Sequence, residues 1–244
     1  LRRDFTINGL FYDPVEDRVV DYVGGVDDIK RRLIRAIGDP RERFNEDKLR
    51  MLRAIRFVAE LEFDLDQATY DAICEMAPQI TQVSQERILM ELERLFTAPA
   101  RTEGVRLLRK SGLWEVILPE LQPKDESQEQ VWWTNLQILN HLNEPGFPLA
   151  FAAMVRGFVE PPRVKSLCRR LRMANHQSDR IQFLIENVEN VDGAEKKRWS
   201  EIQPLLISPY IEDLLKLAEA RARTENRSST SVAWCRERLT WPEE

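Results

Sequence analysis

Within the run Phe44-Asn-Glu-Asp-Lys-Leu-Arg-Met-Leu-Arg-Ala-Ile-Arg-Phe57, one acid is followed by three arginines at every third residue: Asp47, then Arg50, Arg53 and Arg56. Side chains three or four apart are neighbours on a helix, so these four form a slanted ridge. A carboxylate that accepts hydrogen bonds beside guanidinium forks that donate them suits an anion or a nucleotide. The same residues also admit a plainer reading. Glu46 lies four before Arg50 and Glu60 four after Arg56, which makes two ordinary surface ion pairs, each weak. Arg53 has Leu49 and Phe57 at those offsets and no such partner along the helix. Spacing alone leaves both readings open.

The element that must carry this ridge reads as one helix. It contains no Gly or Pro, and strong helix formers fill most positions. Asn45 stands where an N-cap would, and Glu46 and Asp47 follow in the first turn, near the positive end of the helix dipole. Met51, Ala54, Ile55 and Val58 fall at i, i+3, i+4 and i+7, the stripe that would be buried.

Ahead of it, residues 3–12 have the β-branched and aromatic content of a strand, and Arg18 to Asp21 reads as a short return strand closing a hairpin. Gly24-Gly25 breaks the chain, Val26 to Arg32 is expected as a short helix, and Leu33 to Ile37 as a third strand. Three short strands cannot bury a core alone. After Pro40 the strand signal ends. Helices are expected from Asp66 to Met76, with Leu65 and Ile73 inward, and from Glu86 to Phe96 behind a Ser84 N-cap. There Glu86 is expected as a dipole partner and Glu91 as a surface charge. A helix from Glu103 to Lys110 would end at Ser111-Gly112. Residues 122–130 are polar and read as a loose connector. Amphipathic helices are expected near 130–143, 148–158, 163–172, 177–190 and 208–223, with Trp132, Trp133, Leu136 and Leu139 in the core. The expected fold is therefore mostly α, a strand-bearing front followed by a helical body.

The 244 residues suffice for one large domain or two to three small ones. No apolar run approaches bilayer-spanning length. Cys74, Cys168 and Cys235 are odd in number and far apart, and His141 and His176 stand alone, so neither a disulfide framework nor a zinc site is expected. A reducing cytoplasmic compartment is the default. The net charge of −5 excludes a uniformly basic nucleic-acid binder. Locally, Arg163, Lys165, Arg169, Arg170, Arg172 and Arg180 crowd a stretch holding one acid, Asp179. That is either a patch that follows RNA phosphates or a solubilising face.

Several ordered motifs point further. Arg2-Arg-Asp-Phe-Thr-Ile-Asn8, Asp21 with Gly24-Gly25, Arg35 before Gly38, and Arg43-Phe-Asn-Glu-Asp-Lys-Leu-Arg-Met-Leu-Arg-Ala-Ile-Arg-Phe57 follow one another. With Glu86-Arg87, Glu91-Leu92, Gly112-Leu113 and Leu118-Pro-Glu-Leu121, this order resembles the class II tRNA nucleotidyltransferases, the family of CCA-adding enzymes and bacterial poly(A) polymerases. The resemblance covers about half of the chain and fades after residue 125.

The resemblance implies the end of an α/β nucleotidyltransferase head over residues 1–39, a helical neck over 40–98 and a helical, RNA-binding body over 99–244. It implies that Asp47 and Arg50 select the incoming base, that Arg53 and Arg56 continue the nucleotide-binding ridge, and that Arg3 contacts the nucleotide from the strand. Asp4 and Asn8 are expected as local strand hydrogen-bonders in the site wall. CTP, ATP, a tRNA or other RNA 3′ end, and Mg2+ are the implied ligands. The base-selecting logic stands on chemistry alone. Cytosine and adenine present an amino donor beside a ring-nitrogen acceptor, matching a carboxylate and a guanidinium, whereas guanine and uracil present the reverse. Such paired contacts discriminate by about 1–3 kcal/mol each.

The family's metal-binding Asp-x-Asp and its triphosphate loop precede the Arg-Arg-Asp-Phe-Thr motif, and neither lies ahead of it in this sequence. Upstream residues are therefore expected, and the segment alone is expected to be inactive. No His-Asp pair occurs near Ala152 to Arg156, so no second, hydrolytic activity is expected. A poly(A) polymerase or A-adding enzyme, and a non-catalytic RNA-binding protein, are the alternatives to CCA addition.

Overall fold

The computed structural model describes residues 3–239, which belong to two compact units meeting between Pro119 and Glu120. Helices dominate both. No helix among the described residues is long and apolar enough to cross a membrane.

The front of the first unit is less extended than its composition suggests. Strand structure over 3–12 shrinks to β1 (Phe11–Asp13), antiparallel to β2 (Arg18–Val20), while Thr6–Asn8 form a 3-10 turn and Phe5 makes an isolated bridge to Ala36. Side chains explain the turn. Asn8 Oδ1 accepts the Phe5 amide at 3.2 Å, a local bond that holds backbone a ladder would otherwise use, and the Thr6 hydroxyl donates to Asp28, 22 residues on, at 2.7 Å. Asp21 accepts the amides of Val23, Gly25 and Val26 at 2.9–3.1 Å and opens helix α1 (Gly25–Lys30). Those amides hold its carboxyl below the usual carboxylate range. Gly24 is left-handed at φ 76°, and a Cβ on Gly25 would stand 2.2 Å from the Thr6 carbonyl oxygen. Strand β3 (Leu33–Ile34) follows.

Asp39 caps α2 (Pro40–Glu46), with Pro40 in the first turn, where a missing amide costs nothing. Next come α3 (Leu49–Leu61), β4 (Asp64–Leu65), α4 (Gln67–Met76), α5 (Gln85–Thr97), α6 (Arg101–Lys110) and α7 (Leu113–Ile117). Strand β4, parallel to β3, is a correction: strand structure does recur after Pro40. The expected stripe Met51, Ala54, Ile55 and Val58 is buried, α3 packs on α5, and Ile88, Leu92, Leu95 and Phe96 of α5 are buried. The described residues up to Pro119 form this one unit.

The second unit holds α8 (Glu126–His141), α9 (Phe147–Val155), α10 (Pro161–Arg170), α11 (Asn175–Asn187), α12 (Trp199–Leu206), α13 (Ile211–Thr224) and α14 (Thr230–Leu239). Asp125 accepts the Gln128 amide at 2.9 Å and starts α8 inside the stretch read as a connector. Trp132 is buried as expected. Trp133 is not: it is 42% exposed, its indole N–H donating to Glu129 at 2.8 Å. Helix α9 is buried on nearly every side, a core helix rather than an amphipathic one. Helices α12 and α14 were not expected; Pro204 interrupts the helical signal of the first.

Candidate nucleotide-binding site

The helix expected from Phe44 to Phe57 is two helices. Helix α2 ends at Glu46, Asp47 is extended at φ −155° and ψ 108°, and α3 begins at Leu49. The break has a local cause. The Asp47 carboxylate turns back to accept the Leu49 amide at 3.1 Å, satisfying a donor that a continuous helix would have bonded through backbone. Asp47, rather than Asn45, thereby bonds the first amide of the helix that carries the arginines, just ahead of its N-cap Lys48. Its other oxygen accepts Arg87 Nη2 from α5 at 2.7 Å. Burial pushes the Asp47 carboxyl up, but Arg87, the Leu49 amide and Arg50 together outweigh it and hold it below the usual range.

Arg50 lies one turn on. Its Nη1 donates to the Arg43 carbonyl at 3.0 Å and pairs with Glu46, which leaves the rest of the fork available. The pairing with Glu46 agrees with the plainer reading of the sequence, yet the carbonyl bond also fixes the direction of the guanidinium. Arg53 finds off the helix the partners it lacks on it. Its Nε pairs with Asp4 and its Nη1 stands 3.6 Å from Glu91. Asp4 is itself buried and accepts Asn8 Nδ2 at 3.0 Å, a local bond made across the 3-10 turn rather than within the expected strand. One carboxylate therefore ties the front of the chain to α3.

Arg56 does not continue an exposed ridge. It is 1% exposed, paired with Glu60 and Glu91, and its guanidinium carbon lies 3.9 Å from the Phe57 ring centroid. Glu60 is also held by Arg94 at 2.9 Å. Glu91 correspondingly is a buried counter-ion, not a surface charge. Arg3 is exposed and adjoins Asp4 in the chain. The structure thus brings Asp47, Arg50, Arg53 and the Asp4 loop onto one unit, and withdraws Arg56 into the packing. Sequence reasoning assigned no role to Arg87; its place three residues past a helix cap was the available signal.

The basic stretch of the second unit is divided. Arg170 makes a two-pronged pair with Glu120 at 2.7 Å, and Arg180 pairs with Asp213 at 2.6 Å. Arg163 lines a cavity with Glu120 and Glu160, while Lys165, Arg169 and Arg172 line another. One continuous patch is therefore not formed.

Among the described residues no group of three His, Cys, Asp or Glu side chains is arranged to hold a metal ion. Asp4, the acid nearest the front motif, has one oxygen on Asn8 and the other on Arg53. The residues present do not fit the implied Mg2+, and no step below is routed through it.

Comparison with known proteins bears on the same regions. Residues 1–35 match the family described as poly A polymerase head domain, and residues 62–125 match that described as probable RNA and SrmB-binding site of polymerase A. The CCA-adding enzyme of Bacillus licheniformis is 46% identical over 125 residues, 51% of this chain and 31% of that protein. The chain belongs to the CCA-adding enzyme and poly(A) polymerase family. Another member, poly(A) polymerase I of Haemophilus influenzae, is 41% identical over 120 residues, 49% of this chain and 26% of that one. The fold agrees with a crystal structure of the Bacillus stearothermophilus CCA-adding enzyme in complex with CTP. The TM-score is 0.74 at 27% identity, over 98% of this chain and 57% of that one. The chain spans about a third of the length of the curated family members it matches.

Proposed function

We propose that this chain forms the base-selecting and RNA-holding part of a cytoplasmic tRNA nucleotidyltransferase, which adds C and A from CTP and ATP to tRNA 3′ ends. One observation carries the reading: the Asp47 carboxylate is held in place by the Leu49 amide and Arg87, with the anchored fork of Arg50 one turn away. In this proposal Asp47 accepts the exocyclic amino hydrogen of cytosine or adenine through lone pairs left by its two present partners. Arg50 donates to the ring nitrogen from a fork whose Nη1 stays on the Arg43 carbonyl. Arg53 and Arg3 face the rest of the nucleotide. Arg56, buried, positions α3 against α5 rather than touching the ligand. Arrangement before binding is what makes such contacts discriminate, because little ordering is left to be done when the base arrives.

The match to the Haemophilus influenzae poly(A) polymerase supports a second reading, A addition alone, with the same two selector residues. Incorporation into tRNA ending before CCA, with CTP and ATP supplied separately, separates the two in the gene product that carries this chain. CTP and ATP are expected to be used there, and GTP and UTP rejected. The isolated 244 residues are expected to bind nucleotide without incorporating it. Asp47→Ala should abolish base choice while leaving the helices intact. Equal use of all four nucleotides by the unaltered protein, or unchanged choice in Asp47→Ala, overturns the reading.

A further inference from the structure

We infer that Lys48 and Asn45 are positioning residues: their side chains clasp the elbow between α2 and α3 and thereby hold the Asp47 carboxylate at the angle on which base choice depends. Neither is asked to touch the base. Each acts through Asp47, which lies between them in the chain.

The elbow is where the backbone holds least. Asp47 is extended, and the next residue, Lys48, is already helical at φ −61° and ψ −25°. The Asp47 amide reaches the Arg43 carbonyl only at 3.4 Å, beyond the ordinary length of such a bond. Side chains make up the difference. Arg50 Nη1 donates to the Arg43 carbonyl at 3.0 Å, and Lys48 Nζ donates to Asn45 Oδ1 at 2.6 Å. Both bonds run from the start of α3 back to α2, and both bracket Asp47 in the chain. Asn45 thus gives its oxygen to a lysine instead of to a helix amide.

Burial separates Lys48 from an ordinary surface tether. The residue is 9% exposed, and among the described residues it makes no ion pair; its partner is a neutral amide oxygen. Lysine is seldom buried to that extent without a counter-ion. A buried stem has few rotamers left, so the bond at its end holds the elbow at one angle rather than several. When the bond is lost, Asp47 can turn relative to Arg50. Cytosine and adenine, which use both contacts in the proposed selection, then lose alignment, whereas uracil and guanine, which match neither, lose little.

The inference rests on the proposed base selection by Asp47 and Arg50. Its test measures kcat/KM for CTP and for UTP in the gene product that carries this chain, with tRNA ending before CCA as primer. Lys48→Met keeps the buried stem and removes the donor, and Asn45→Ala removes the acceptor. Each should lower the CTP-to-UTP ratio by about tenfold, the scale of a displacement of a fraction of an ångström. The double variant should be no worse than either single one, because both remove the same bond. Asn45→Asp offers Lys48 a carboxylate and should keep the ratio. A change that only unfolds part of the protein scales both rates together and leaves the ratio alone, and thermal melts read that effect separately. An unchanged ratio in Lys48→Met and Asn45→Ala, or losses that add in the double variant, would overturn the inference. Asp47→Ala tells the two readings apart. Choice lost there but kept in the clasp variants refutes the clasp alone, while choice kept in Asp47→Ala refutes the selector and the clasp with it.

Discussion

Replacing Glu91 by Gln tests the packing that holds α3, the helix of Arg50, Arg53 and Arg56. Glu91 faces Arg56, 1% exposed, and stands 3.6 Å from Arg53 Nη1. Removing one partner of a buried pair strands the other charge and ordinarily costs about 3–5 kcal/mol. Arg56 keeps Glu60 and Arg53 keeps Asp4, so the lower end applies, about 3 kcal/mol. At a urea slope of about 1.5 kcal/mol/M, the midpoint of the first unit should fall by about 2 M. Hydrogen exchange of α3 and α5 against urea reads that unit apart from the tryptophan-rich second one. The double variant Arg56→Met with Glu91→Leu should recover most of the loss, because it leaves no stranded charge and Glu60 retains Arg94. A single-variant shift under about 0.5 kcal/mol, the range of surface substitutions, would refute the buried-network reasoning.

Arg87→Met should reduce discrimination between CTP and UTP more than it alters kcat for CTP, since it frees one oxygen of Asp47 without touching Arg50; equal loss for both nucleotides would count against it. Because the folded Asp47 carboxyl sits below its ordinary value, its stabilising contribution is complete above that value and is lost only as pH falls through the lowered one. Base choice measured from pH 8 down to pH 5 should therefore stay flat, and in Arg87→Met the loss should begin at a higher pH. Gly25→Ala should destabilise the first unit by about 1–3 kcal/mol, because its Cβ meets the Thr6 carbonyl. Gly24→Ala should cost about 1 kcal/mol, for left-handed backbone alone, since nothing lies within 4 Å of its Cβ. Thermal melts of the two variants check that order.

The sequence made the apolar architecture legible wherever periodicity was strong. The inward face of α3 was placed residue by residue, since burial of a stripe depends on local spacing. The break at Asp47 escaped because helix propensity there is satisfactory and a single side-chain bond to the Leu49 amide overrides it. Glu91 was misread because its partner Arg56 lies at no helical offset from it; only the packing of α3 on α5 joins them. The 3–12 strand failed for a similar reason, the Thr6 hydroxyl finding Asp28 across an intervening hairpin. Of the candidate site, residue types and order were readable. The placement of Arg56 in the interior and the pairing of Arg87 with Asp47 were not, because each depends on which helix lies opposite.

The clasp between Arg87 and Asp47 spans two helices, so under the proposed base selection the hydrogen-bonding letter shown to an incoming base is written by their spacing as much as by either side chain. Apolar substitutions in the seam, at Leu92 or Ile55 for instance, would then respell it from a distance. A screen for altered nucleotide preference should recover interior positions that never meet the ligand.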